Sequence, residues 1–195
     1  MTRMELAKKG EHVEAFARLA ETEHSTYETI SGGIASGEIS LCTSAVRDIP
    51  PVAIGTGLRI KINANIGTSS DASSLDEEIE KAHVAVEFGA DAIMDLSTGG
   101  DIPATRRRIL DEVTVPVGTV PIYEAGVWAA KNRKGMVRMT ADDLFRIIED
   151  QLTAGVDFIT VHCGVTREVV ERLRQQGRLT DIVSRGGAFM VEWML

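Results

Sequence analysis

Two stretches, GADAIMDLSTGGD (residues 89–101) and AGVDFITVHCGV (154–165), are written in one grammar. Each contains a glycine, a small or branched apolar residue and an aspartate. An apolar-rich run follows (AIMDL, 92–96; FITVH, 158–162), and then polar and glycine residues. A short apolar run bounded by turn residues is the pattern of a strand buried on both faces, as in a parallel sheet.

The pattern continues on either side. RIKIN (59–63), PVGTV (116–120) and DIVS (181–184) read as further strands, beside 91–96 and 157–162. Between them stand amphipathic helices at 74–89, 102–113, 140–155 and 166–177. Ser74 with Glu77, and Thr140 with Asp143, have the spacing of capping boxes, and Gly89 and Gly155 follow as stops. Strands alternating with helices predict parallel pairing through crossovers. Residues 1–40 read as helical and peripheral, and 41–58, with Pro50-Pro51, as a connecting loop. The predicted division is therefore a helical region and loop over 1–58 and an α/β unit over 59–195. About five βα units suit either an open sheet or the first part of a (β/α)8 barrel, which needs eight.

Composition narrows the function. The chain has 195 residues and a net charge of −8. That balance argues against a nucleic-acid or acidic-membrane partner, because phosphate-dense surfaces select basic faces. No apolar stretch is long enough for a membrane span. Two cysteines, Cys42 and Cys163, stand far apart, which points away from a disulfide framework and toward the cytoplasm.

Parallel α/β folds bind ligands beyond the carboxyl ends of their strands. Read there, the sequence collects Asn65, Met94, Asp95, Gly99-Gly100, Tyr123, His162, Cys163, Ser184, Arg185 and Gly186-Gly187. Hydrogen-bond donors, an imidazole, a guanidinium and two glycine-rich turns suit a ligand with a phosphate and several ring nitrogens or hydroxyls. Each has a plainer reading. The glycine pairs serve as loop geometry, His162 as a structural histidine, Asp95 as a turn cap, Cys163 as a small packing residue and Arg106-Arg107-Arg108 as a solvated helix face. The convergence of such groups on successive strand ends favours the functional reading. A sugar-phosphate aldolase of the barrel type would need a lysine at a strand end, and Lys61 falls inside the first predicted strand.

KINANIGTSSD (61–71), GADAIMDLSTGGD, VPVGTVPIYEA (115–125), GVDFITVHCGV and DIVSRGGAF (181–189) together resemble the phosphomethylpyrimidine synthase family, over about residues 55–193. The resemblance implies an incomplete (β/α)8 TIM-type barrel preceded by a helical region. It implies a radical S-adenosylmethionine enzyme that rearranges 5-aminoimidazole ribotide to the thiamine pyrimidine phosphate. Carried over by position, its substrate contacts fall on Asn65, Met94, Tyr123, His162, Ser184, Arg185 and Gly186. The family also implies a 4Fe-4S cluster, S-adenosylmethionine, a zinc-type metal site and a homodimer. Its metal-ligating histidines and CxxCxxxxC motif are absent from these residues. The chain therefore reads as an N-terminal fragment, with those ligands outside it and no activity expected of it alone. LCTSAVRDIPP (41–51) departs from the family pattern. It leaves open the paralogous branch that makes 5-hydroxybenzimidazole, for the cobalamin lower ligand, from the same ribotide. A half-barrel that binds the ribotide without catalysis is the non-enzymatic alternative.

Overall fold

The computed structural model describes residues 1–72 and 74–195. Three helices open it: α1 (Arg3–Lys8), α2 (Glu14–Thr22) and α3 (Tyr27–Ser36). They pack around Phe16, Leu19 and Ile30, all essentially inaccessible to water. The 41–58 region is more ordered than a connecting loop. Strands β1 (Ile39–Cys42) and β2 (Val52–Gly55) pair antiparallel there, and Ile39 and Ala53 turn inward onto the same helical cluster. Alternation of inward and outward side chains lets so short a ribbon bury one row against the helices.

The centre is a four-stranded parallel sheet in the order β3 (Asn63–Ile66), β4 (Ala92–Asp95), β5 (Val117–Thr119), β6 (Phe158–Ile159). Helices α4 (Leu75–Glu87), α5 (Ile102–Glu112) and α7 (Ala141–Thr153) fall where the sequence predicts them. The capping residues Ser74 and Thr140 accept from the amides of Glu77 and Asp143. Ile79, Ala82, Ile109 and Leu110 meet Ile66, Ile93 and Val117 in a core between helices and sheet. No helix among the described residues is long and apolar enough to cross a membrane.

Four expectations need correction. The first parallel strand begins at Asn63 rather than Arg59. The amides of Arg59 and Ile62 bond the carboxylates of Glu23 and Asp91, so side chains replace the ladder there. Residues 157–162 contribute only Phe158 and Ile159 to the sheet. Residues 181–184 form no strand; Ser184 instead caps helix α9 (Arg185–Met194) through the Gly187 amide, so the described residues hold four parallel strands rather than five. Finally, helix α6 (Pro121–Asn132) was not foreseen. Proline at its first position has the right φ and no amide to leave unbonded. After Gly135, residues Met136–Arg138 make a single 3-10 turn, and helix α8 (Arg167–Gln176) precedes α9.

Candidate functional site

The registers settle which strand residues share a face. Ala64, Ile93 and Val117 lie in one row and point into the helix-facing core. Side chains alternate along a strand, so the next row, Asn65, Met94, Gly118 and Phe158, points to the opposite face. Asn65 and Met94 are thus direct neighbours inside strands, rather than residues of the loops beyond. Phe158 lays its ring against Gly118, where any larger residue would collide with it.

Beyond the strand ends, two loops are locked back to back. The Thr68 amide donates to Ser97 Oγ at 3.1 Å, and Thr68 Oγ1 donates to the Gly99 carbonyl at 2.7 Å. A Cβ on Gly99 would overlap the Ser69 backbone, so this glycine is required for close approach. Asp95 is buried and accepts from both the amide and the hydroxyl of Ser97. Its predicted role as a turn cap is what the geometry shows. Burial pushes its carboxyl above the usual range, partly offset by those two bonds.

Tyr123 sits in the first turn of α6, immediately after β5. The Arg185 guanidinium lies over its ring, 5.2 Å from the centroid, a cation–π arrangement. Arg185 Nη1 is also 3.5 Å from the Leu96 carbonyl, which ties α9 to the loop after β4. Four residues along α9, Phe189 meets Tyr123 edge-on at 5.8 Å. Gly186 is buried against His162, and a Cβ there would overlap the imidazole. His162 Nδ1 is itself buried without a hydrogen-bond partner. Arg47 Nε, Arg106 Nε and Asp157 Oδ1 are unpartnered in the same way, so this atom by itself does not single out a ligand position.

Of the seven predicted positions, Asn65 and Met94 are register neighbours, Arg185 lies on Tyr123, Gly186 lies against His162, and Ser184, Arg185 and Gly186 make the opening turn of α9. That turn presents amides and a cation together, the combination that binds phosphate at helix N-termini. Phe189 and the Leu96 carbonyl were missed. The signal for Phe189 was available, since i, i+4 spacing from Arg185 places it on the same helix face once 185–194 is read as a helix.

Two other expectations change. Arg106 is no solvated residue. It is buried, and its Nη1 donates to Glu124 at 2.6 Å, while Arg107 and Arg108 remain exposed. Lys61 is committed to a buried ion pair with Glu23 at 2.7 Å, which removes it as a candidate Schiff-base lysine.

A cluster needs about three thiolates drawn together, and Cys42 and Cys163 are this chain's only two. Cys42 is held protonated, its thiol pushed up to about 11 by burial and by nearby Asp157. Among the described residues no three His, Cys, Asp or Glu side chains converge on a possible metal position. The described residues do not fit an iron–sulfur cluster or a zinc ion.

Residues 2–195 match the model of the radical SAM ThiC family. Phosphomethylpyrimidine synthase of Desulforamulus reducens is 51% identical over 196 residues, covering 100% of this chain and 45% of the relative. The enzymes of that name from Moorella thermoacetica and Pyrococcus furiosus are 50% and 47% identical, again over 100% of this chain and 45% and 46% of their own lengths. The chain spans about half the length of the curated relatives it matches.

Proposed function

The chain belongs to the radical SAM ThiC family, and from that premise we propose that it forms the substrate-cradling part of a phosphomethylpyrimidine synthase. Its ligand is 5-aminoimidazole ribotide, and the reaction is the lyase-type rearrangement to the thiamine pyrimidine phosphate. The β3-β4-β5-β6 order is that of consecutive strands in a barrel, and we read it as the first part of a (β/α)8 barrel.

One observation carries the reading: a helix N-terminus that offers phosphate-binding groups is in direct contact with both Tyr123 and His162. Arg185 lies on Tyr123, and Gly186 lies against His162. In the proposed complex the Arg185 guanidinium and the first amides of α9 hold the ribotide phosphate. Ser184 Oγ already accepts from the Gly187 amide, so it fixes the turn and keeps its own hydroxyl hydrogen for the ligand. Asn65, the Tyr123 hydroxyl and His162 take ring and ribose atoms. Met94, buried beside Asn65, supplies an apolar floor under the imidazole. These groups bind and orient; the family's radical chemistry comes from a cluster and S-adenosylmethionine, and no step through them is assigned to this chain's residues.

The test is anaerobic turnover of the full-length protein with 5-aminoimidazole ribotide and S-adenosylmethionine, products separated by chromatography. Pyrimidine phosphate is expected. A benzimidazole product would overturn the assigned reaction while keeping the substrate. No saturable ribotide binding would overturn the substrate as well. Arg185→Ala is expected to weaken ribotide binding at least tenfold, as loss of a charge-assisted phosphate contact should.

A further inference from the structure

From Glu124, the residue after Tyr123 on α6, runs a buried polar chain that the substrate contacts do not use. Thr119 Oγ1, at the end of β5, donates to Gln151 Oε1 of α7 at 2.7 Å. Gln151 Nε2 donates to Glu124 Oε2 of α6 at 2.6 Å. Arg106 Nη1 of α5 donates to the same Glu124 oxygen, also at 2.6 Å. Thr119, Gln151 and Arg106 are each at most 4% exposed.

We propose that Glu124 is a positioning residue: clamped from α5 and α7, it fixes the rotation of the first turn of α6 and so holds the Tyr123 ring over the strand ends, where Arg185 stacks. The inference rests on the reading of Tyr123 as a ribotide contact.

The physical case has three parts. Buried ion pairs add little net stability over an apolar core, so one kept in place calls for another role, and fixing geometry is the best attested. Glu124 follows Tyr123 directly, and successive helix residues are about 100° apart. An anchor on Glu124 therefore sets the angle at which Tyr123 projects. With side-chain tips about 5–6 Å from the axis, a rotation of about 10° moves the ring about 1 Å. Displacements of that size matter for substrate positioning. Lastly, both hydrogen bonds fall on one carboxylate oxygen, so an amide oxygen at that point can accept both.

The experiment uses the full-length protein and its Glu124→Ala and Glu124→Gln variants, with two readouts. The first is ribotide affinity by anaerobic calorimetry. The second needs no ligand: nitration by tetranitromethane, mapped by mass spectrometry as the ratio of Tyr123 to Tyr27. Tyr27 is the internal control, since its hydroxyl is fixed by the Val13 amide and the Glu11 carbonyl, remote from α6. Glu124→Ala is expected to raise the Tyr123/Tyr27 ratio severalfold and the ribotide Kd about tenfold. Glu124→Gln is expected to restore both to within about twofold of the parent, because it keeps the shared acceptor. An unchanged nitration ratio in Glu124→Ala overturns the proposal. So does a Glu124→Gln variant that behaves like Glu124→Ala, which would make the charge, and not the clamp, the cause. Should the parent bind no ribotide while the nitration ratio still rises in Glu124→Ala, the substrate reading falls and the positioning role stands.

Discussion

At the N-terminal ends of the parallel strands, charged side chains are tied to one another and to the backbone beside a cavity of about 730 Å³; at the C-terminal ends of the same strands, Arg185 stacks on Tyr123 and Gly186 packs against His162. Arg47 shows the first condition. Its guanidinium donates to the carbonyls of Leu110, Val113 and Val115 at 2.9–3.0 Å, and it pairs with Asp157. Asp157 has no exposed side-chain surface, and also accepts from the amide of Val117, the first residue of β5. Arg59 with Asp91, and Lys61 with Glu23, close the remaining strand starts. His162, packed on Gly186, belongs to the second end; unpartnered buried atoms occur at both, Arg47 Nε and Asp157 Oδ1 at the first and His162 Nδ1 at the second. One end of the sheet ties its charges into holding the strands, and the other is the end at which we propose the ligand binds, the usual division of labour in parallel α/β folds.

The strongest way to break this comparison is Asp157→Ala. Removing one member of a buried pair leaves the other charge uncompensated, at a cost of about 3–5 kcal/mol. Urea unfolding should report that loss, while ribotide affinity of the folded fraction stays within about twofold. A small stability change with a large affinity change would reverse the assignment of the two ends.

Gly186→Ala is next. A methyl group there overlaps the His162 ring, and overpacking of this kind costs about 1–3 kcal/mol. Unlike Asp157→Ala, it should also depress ribotide affinity, because α9 and His162 must separate to admit it. Normal binding would show that their contact is incidental.

Asp95→Asn sharpens the comparison with a smaller effect. Asn can accept both Ser97 bonds and removes a carboxylate that burial disfavours. Because the folded carboxyl titrates above its usual range, about 3.9 when unperturbed, the native state is handicapped once pH rises past that value. The variant should gain in melting temperature over the parent from about pH 4 upward, and lose that gain below it. A variant less stable than the parent at neutral pH would mean that the Asp95 charge is needed, with Arg106 the nearest counter-charge.

The smallest effect lies on the acid side. Asp143 is held down to about 2, first by the Arg133 hydrogen bonds and then by the Thr140 amide at the start of α7. A depressed folded value contributes stability that is present above about pH 4 and is lost as pH falls toward 2. Asp143→Asn should flatten the acid limb of a melting-temperature profile in that window. An unchanged limb would place the acid sensitivity elsewhere.

Helices α4, α5, α7 and α8 were legible because their signals are local, whereas α6 and α9 were not foreseen. Ser74 and Thr140 bond amides three residues away, and the apolar spacing of 74–89 and 140–155 needs no knowledge of the partner surface. The strands were legible only in part. RIKIN alternates like a strand, yet Arg59–Ile62 bonds Glu23 and Asp91, side chains distant in sequence. DIVS has β-branched residues, but no neighbouring strand lies beside it, and Ser184 caps a helix instead. Strand formation depends on the neighbour as much as on the residues themselves.

The sequence by itself determined the alternation of strands and helices, the caps, and, through ordered motifs, the resemblance to one family. These rest on short-range bonds and on residue chemistry, which a linear text records. Only the tertiary structure decided that Asn65 and Met94 share a row, that Arg185 stacks on Tyr123, and that Arg106 is buried against Glu124. Strand register, helix rotation and the pairing of charges across elements are set by packing between segments far apart in the chain, and the energy that selects them does not reside in any one segment.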